Sequence, residues 1–108
     1  MENTDIAAHG EYKVPGGKLV VVDLTVAAGR VAAVQVSGDF FLEPAEARDA
    51  IDAALLGLPA DADEAELAVA VAAAFGPGTQ AFGITPEGVA VAVRRALDAA
   101  SGDAGGAA

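Results

Sequence analysis

The amino-acid sequence predicts an α+β domain, a small antiparallel sheet of about three strands covered by three helices. Two observations predict it. From Lys18 to Ser37, apolar and polar residues alternate at the period of two expected of half-buried strands. Beyond Pro44 the apolar spacing lengthens to the 3.6 of an amphipathic helix and recurs in three stretches. Strand signals followed by helix signals are the arrangement of an α+β fold, and 108 residues suit one domain with a modest core.

Residues 1–9 read as a frayed N-terminus and 10–100 as the domain. Gly10 to Lys13 is a short edge strand, ended by the turn Val14-Pro15-Gly16-Gly17. Lys18 to Val26 is the clearest strand, with Val20, Val22, Leu24 and Val26 on one face and Asp23 and Thr25 on the other. Arg30 to Ser37 follows. A three-residue loop Ala27-Ala28-Gly29 would pair Val22 with Val34 and Val20 with Val36, keeping the apolar faces together. Pro44 suits the first turn of a helix whose stripe is Ala47, Ile51, Ala54 and Leu55, closed by Gly57, with Glu46, Asp49 and Asp52 on the far side. Asp63-Glu64-Ala65-Glu66 is the signature of a capping box, opening a second helix with Leu67, Val71 and Phe75 inward. Gly76 to Gly83 reads as a loop. Thr85-Pro86-Glu87 caps a third helix with Val89, Val93, Ala96 and Leu97 inward and Arg94 and Arg95 near its end. Ser101 to Ala108 is Gly/Ala-rich and expected to be disordered.

Composition removes several kinds of chemistry. There is no cysteine and His9 is the sole histidine, so disulfides, thiolate nucleophiles and ordinary zinc sites are excluded. No acidic spacing resembles a calcium loop. A formal charge of −10 disfavours nucleic acid and anionic membranes, because both require clustered Lys and Arg. No apolar run reaches the ~18 residues of a membrane span, and no basic or apolar signal segment opens the chain, so a cytoplasmic protein is expected. The only serines, Ser37 and Ser101, have no base near them in sequence, and no catalytic residue is assigned.

Two features stand out. Both lysines of the chain, Lys13 and Lys18, flank one Gly-rich turn containing Gly16 and Gly17. The turn is not a nucleotide-binding P-loop, since Leu19 and a strand follow Lys18. It suits either a strand edge guarded by cations or a site where backbone N–H groups and lysines meet an anion. The second feature is Gly38-Asp39-Phe40-Phe41. Adjacent side chains diverge, so one ring is expected in the core and the other on a partner surface. Phe41, nearer the following helix, is expected to be the core ring, and Phe40, beside Asp39, the interface anchor.

The succession EYKVPGGKLVVVDLTVAAGRVAAVQVSGDFFLEPAEA resembles the accessory, C-terminal domain of lipoate–protein ligases, above all in the split form where it is a separate small subunit. The resemblance rests on the Lys-Val-Pro-Gly-Gly-Lys turn, the strand with one acid, the Gly29 hairpin, Gly38 to Phe41 and the Pro44 helix. It implies a fold similar to that of iron–sulfur scaffold proteins, whose chemistry a cysteine-free chain cannot share. It also implies a heterodimer with a catalytic subunit that holds ATP, Mg²⁺ and lipoate, in which this chain supports formation of lipoyl-AMP and binds no cofactor alone. Lys13, Gly16, Gly17, Lys18, Asp39, Phe40 and Phe41 are then the substrate- or partner-facing candidates. A lipoylated carrier domain and an interaction module unconnected with lipoate are the alternatives.

Overall fold

The computed structural model describes residues 5–105 and has the expected α+β architecture. Strands β1 (Ile6–Lys13), β2 (Leu19–Ala27) and β3 (Arg30–Gly38) form an antiparallel sheet in the order β1-β2-β3. Val20, Val22, Leu24, Val31 and Val36 face inward and are buried. Helix α1 (Glu46–Leu55) packs on β3, and α3 (Pro86–Gly105) packs on β1 and β2. Helix α2 (Glu64–Ala74) packs on α1 and α3. Among the described residues no element packs on the opposite face of the sheet.

Strand β1 starts earlier than expected. Residues 6–9, read as frayed, pair with β2 from Ile6 opposite Val26 onward. Its inward positions are Ala8, Gly10 and Tyr12, two of them nearly without side chain, so the alternation is faint in the sequence. Gly10 is there for proximity: a Cβ would lie 2.5 Å from the Ala92 carbonyl oxygen and the Ala96 nitrogen of α3. Helix α3 can seat on the strand because all three residues are small.

The β2–β3 hairpin keeps its apolar faces together by a route other than a three-residue loop. Its loop is Ala28-Gly29, with positive φ values of 54° and 75°, as a tight hairpin matching the strand twist requires. A two-residue loop alone would turn Val34 toward the wrong face. The register instead shifts between Thr25 and Val26, so Val26 opposes Val31 while Thr25 opposes Ala33. This bulge restores the parity and sets Val22 against Val36 and Leu24 against Val34, two residues from the expected pairing.

Most helix termini follow the sequence signals, but Pro44, expected in the first turn of α1, precedes its N-cap Ala45. The Asp63 carboxylate accepts from the Glu66 N–H at 2.8 Å, and the Glu66 side chain accepts from the Asp63 N–H at 3.0 Å, the reciprocal box that opens α2. Thr85 Oγ1 accepts from the Gly88 N–H at 2.9 Å at the start of α3. However, α3 continues to Gly105, so residues 101–105 of the expected disordered tail are helical despite two glycines, and 106–108 lie outside the described residues. Arg94 and Arg95 therefore lie mid-helix. Asp52, expected in solvent, is half-buried and accepts from the Val36 N–H at 3.0 Å.

A second sheet was not expected. Strand β4 (Phe41–Glu43) pairs antiparallel with β5 (Gln80–Phe82), which falls within the segment read as a loop. Three-residue strands are too short to show a period, and their partners are far apart in the chain. Among the described residues no helix is long and apolar enough to cross a membrane.

Candidate functional site

The Gly-rich lysine turn and the phenylalanine segment meet at one end of the sheet. The turn closes through Gly17 N–H to the Val14 carbonyl at 2.8 Å and Val14 N–H to the Lys18 carbonyl at 3.0 Å. Gly16, at a φ of 72°, lies in open space. The turn then docks on the residue after β5: the Lys18 N–H donates to the Gly83 carbonyl at 2.9 Å. A Cβ on Gly17 would sit 2.9 Å from that same oxygen, and one on Gly83 would sit 2.4 Å from Lys18 Cγ. The aliphatic stem of Lys18 thus lies across Gly83, one residue from Phe82. On the other side, a Cβ on Gly38 would be 2.1 Å from the Leu19 carbonyl oxygen, so the end of β3 also closes on this turn. Lys13, Gly16, Gly17, Lys18 and the segment from Gly38 to Phe41 are brought together.

The two rings exchange their expected places. Phe40 is the core ring, 5% exposed, and Phe41 is the surface ring, 55% exposed. Pairing of β4 with β5 decides this. Leu42 is buried, and Phe40, two residues before it, shares its side, whereas Phe41 and Glu43 point outward. Phe41 has a partner that the sequence reading missed, the directly opposed Phe82, 54% exposed. Their centroids are 6.0 Å apart with the ring planes tilted by 38°, an ordinary aromatic pair except that it faces solvent. Behind it, Phe40, Phe41, Leu42, Ala45, Arg48 and Asp49 line an open cleft of about 310 Å³. The Arg48 guanidinium carbon stands 5.5 Å from the Phe40 centroid, within cation–π range.

Exposed cations gather at this end. Lys13 and Lys18 are exposed, and among the described residues neither they nor Arg48 takes part in a salt bridge. Arg94, by contrast, binds Asp98 and the Ala62 carbonyl, and Arg95 donates to the Glu11 carbonyl while lying over the Tyr12 ring. Asp39 is exposed and, among the described residues, its carboxylate accepts no hydrogen bond.

The two groups with displaced pKa values lie elsewhere. His9, on the open sheet face, is held between Asp23 Oδ1 and Glu11 Oε2, each at 2.6 Å. Hydrogen bonds to Asp23 first and Glu11 second raise its pKa above 6.5, favouring the imidazolium. Burial raises the pKa of Asp52 above 3.8, opposed by its bond from Val36. Among the described residues no cluster of three or more His, Asp or Glu side chains could hold a metal. The arrangement at the phenylalanine end, exposed aromatics beside exposed lysines, suits binding. Phe82, Gly83 and Arg48 are the members that sequence reading did not find.

The sequence matches no protein-family model. It matches no curated protein either. Among solved structures, the chain is similar to one from an archaeal lipoylation system, a bipartite lipoate protein ligase and its E2 lipoyl domain from Thermoplasma acidophilum. The two share 20% identity at a TM-score of 0.63, over 86% of this chain and 98% of that one. At that identity the likeness is one of fold.

Proposed function

We propose that this chain is the accessory subunit of a split lipoate–protein ligase, acting in the cytoplasm as a heterodimer with a catalytic subunit. The catalytic subunit binds ATP, Mg²⁺ and lipoate and forms lipoyl-AMP; this chain binds none of them alone. The observation that carries the reading is the exposed Phe41–Phe82 pair beside the Lys13–Lys18 turn. A domain of this kind works by docking. Adenylation produces a mixed anhydride that water destroys, and a subunit closing over the site can exclude water while its lysines meet phosphate or an acidic partner surface. The likeness to a chain from a lipoylation system supports the same reading.

A carrier role is less well supported, because lipoyl carriers are all-β whereas three helices make up much of this chain. One experiment separates the two. Lipoyl-AMP formation from lipoate and ATP is measured with the catalytic subunit alone and after this chain is added, and the intact mass of the chain is recorded afterward. Restored adenylation with unchanged mass is expected. Equal adenylation without the chain overturns the accessory role, and a gain of one lipoyl group identifies a carrier. Changing Lys13 and Lys18 together to Glu is expected to slow adenylation by about tenfold or more, the effect of a lost charge contact of some 1.4 kcal/mol, while transfer from preformed lipoyl-AMP is nearly unchanged. Equal loss of both steps points to lost docking instead.

A further inference from the structure

Among the described residues the outer backbone edges of the two sheets are covered to different extents. On the outer edge of β1, Arg95 donates to the Glu11 carbonyl at 3.1 Å. On the outer edge of β3, Val31 exchanges two bonds with the 57–58 segment, donating to Leu58 and accepting from Gly57, each at 2.9 Å, and Val36 donates to Asp52. The inner side of β4 rests on α1. Strand β5 differs. Among the described residues, no backbone or side-chain group outside β4 bonds to Gln80, Ala81 or Phe82. Gln80 and Phe82 are exposed, and no charge sits on the strand to guard it.

We propose that the outer edge of β5 receives an extended segment of the partner protein as an added strand. The inference takes the partner's identity, the catalytic subunit, from the functional reading above. An incoming strand would satisfy the free backbone groups and extend the Phe41–Phe82 row by one cross-strand neighbour, which selects an apolar residue opposite Phe82. Lys18, whose stem crosses Gly83 at the end of β5, selects an acidic residue in the same segment. A second copy of this chain is the less favourable occupant, since two bodies of charge −10 repel and neither β5 offers an acid to Lys18.

Amide hydrogen exchange and NMR on the isotope-labelled full chain, alone and with the catalytic subunit, test this directly. In the complex the N–H groups of Gln80–Phe82 that point away from β4 are expected to slow about tenfold or more, as amides entering a ladder do, with Hα–Hα contacts from β5 to the partner. A complex that forms without protection or contacts at β5 overturns strand addition and leaves the accessory role standing. Protection that grows with concentration in the isolated chain overturns it in favour of self-pairing. Absence of any complex overturns both readings.

Discussion

The two rings of the phenylalanine segment, on adjacent residues, lie in opposite surroundings. Phe40 sits among Leu42, Ile51 and the rest of the core with its ring nearly out of water, while Phe41 stacks on Phe82 in the open. The same contrast holds at the scale of the backbone. Each outer edge of the three-stranded sheet takes at least one bond from a side chain or loop, whereas among the described residues the β5 edge of the ribbon formed by β4 and β5 takes none. Arg95 and Asp52 bond to the outer edges of β1 and β3, while the β5 edge beside two exposed rings takes no such bond among the described residues, the contrast on which the proposed docking rests.

The comparison breaks most visibly at the rings. Phe40→Ala is expected to cost about 3–5 kcal/mol in chemical denaturation, as buried Phe truncations do. Phe41→Ala should cost no more than about 1 kcal/mol, the worth of an exposed cross-strand pair. Comparable losses for the two would erase the distinction between core ring and surface ring.

The edge plug gives a smaller, paired effect. Asp52→Ala leaves the Val36 N–H without its acceptor and is expected to cost about 1–3 kcal/mol, whereas Asp52→Asn keeps the acceptor and should be close to neutral at pH 7. The pH dependence sharpens the point. Because burial raises the native pKa of Asp52, the folded state binds its proton more readily than the unfolded state does. Stability therefore falls as pH rises from 3.8 through the raised value, and Asp52→Asn removes that slope in melts taken across the range.

The smallest effect belongs to His9, on the open face. Its raised pKa means that its contribution is fully present below 6.5 and is lost as pH rises through the native value. An NMR titration should place the imidazole midpoint above 6.5, and Asp23→Asn should lower it more than Glu11→Gln does.

Much of the fold was legible in the sequence because its signals are local. The alternation in β2, the Asp63–Glu66 box and the Thr85 cap are each specified by a few neighbouring residues. What was hidden depends on tertiary contact. Strand β1 was obscured by Ala8 and Gly10, which are small to admit α3, a reason visible only once α3 is in place. The bulge in the hairpin came from the need to reconcile a two-residue loop with the parity of two strands. At the site, the turn and the Phe-Phe segment were recognisable as features, but their assembly was not. Which ring is buried depends on β5, a three-residue strand contributed from far along the chain, and Phe82 entered the site with it. Proximity of Phe41 to the helix in sequence was a poor guide, because the side chain's direction follows strand pairing.

In the proposed complex the Phe41–Phe82 face serves a partner and not the fold. The Phe41→Ala, Phe82→Ala double variant, titrated calorimetrically into the catalytic subunit alongside a thermal melt of the free chain, tests it most directly. The expected result is binding weakened by 2 kcal/mol or more, about thirtyfold, with a melt shifted only slightly, because exposed rings at an interface centre matter chiefly to the complex. Unchanged affinity, or a collapse of the melt equal to that of Phe40→Ala, would contradict it.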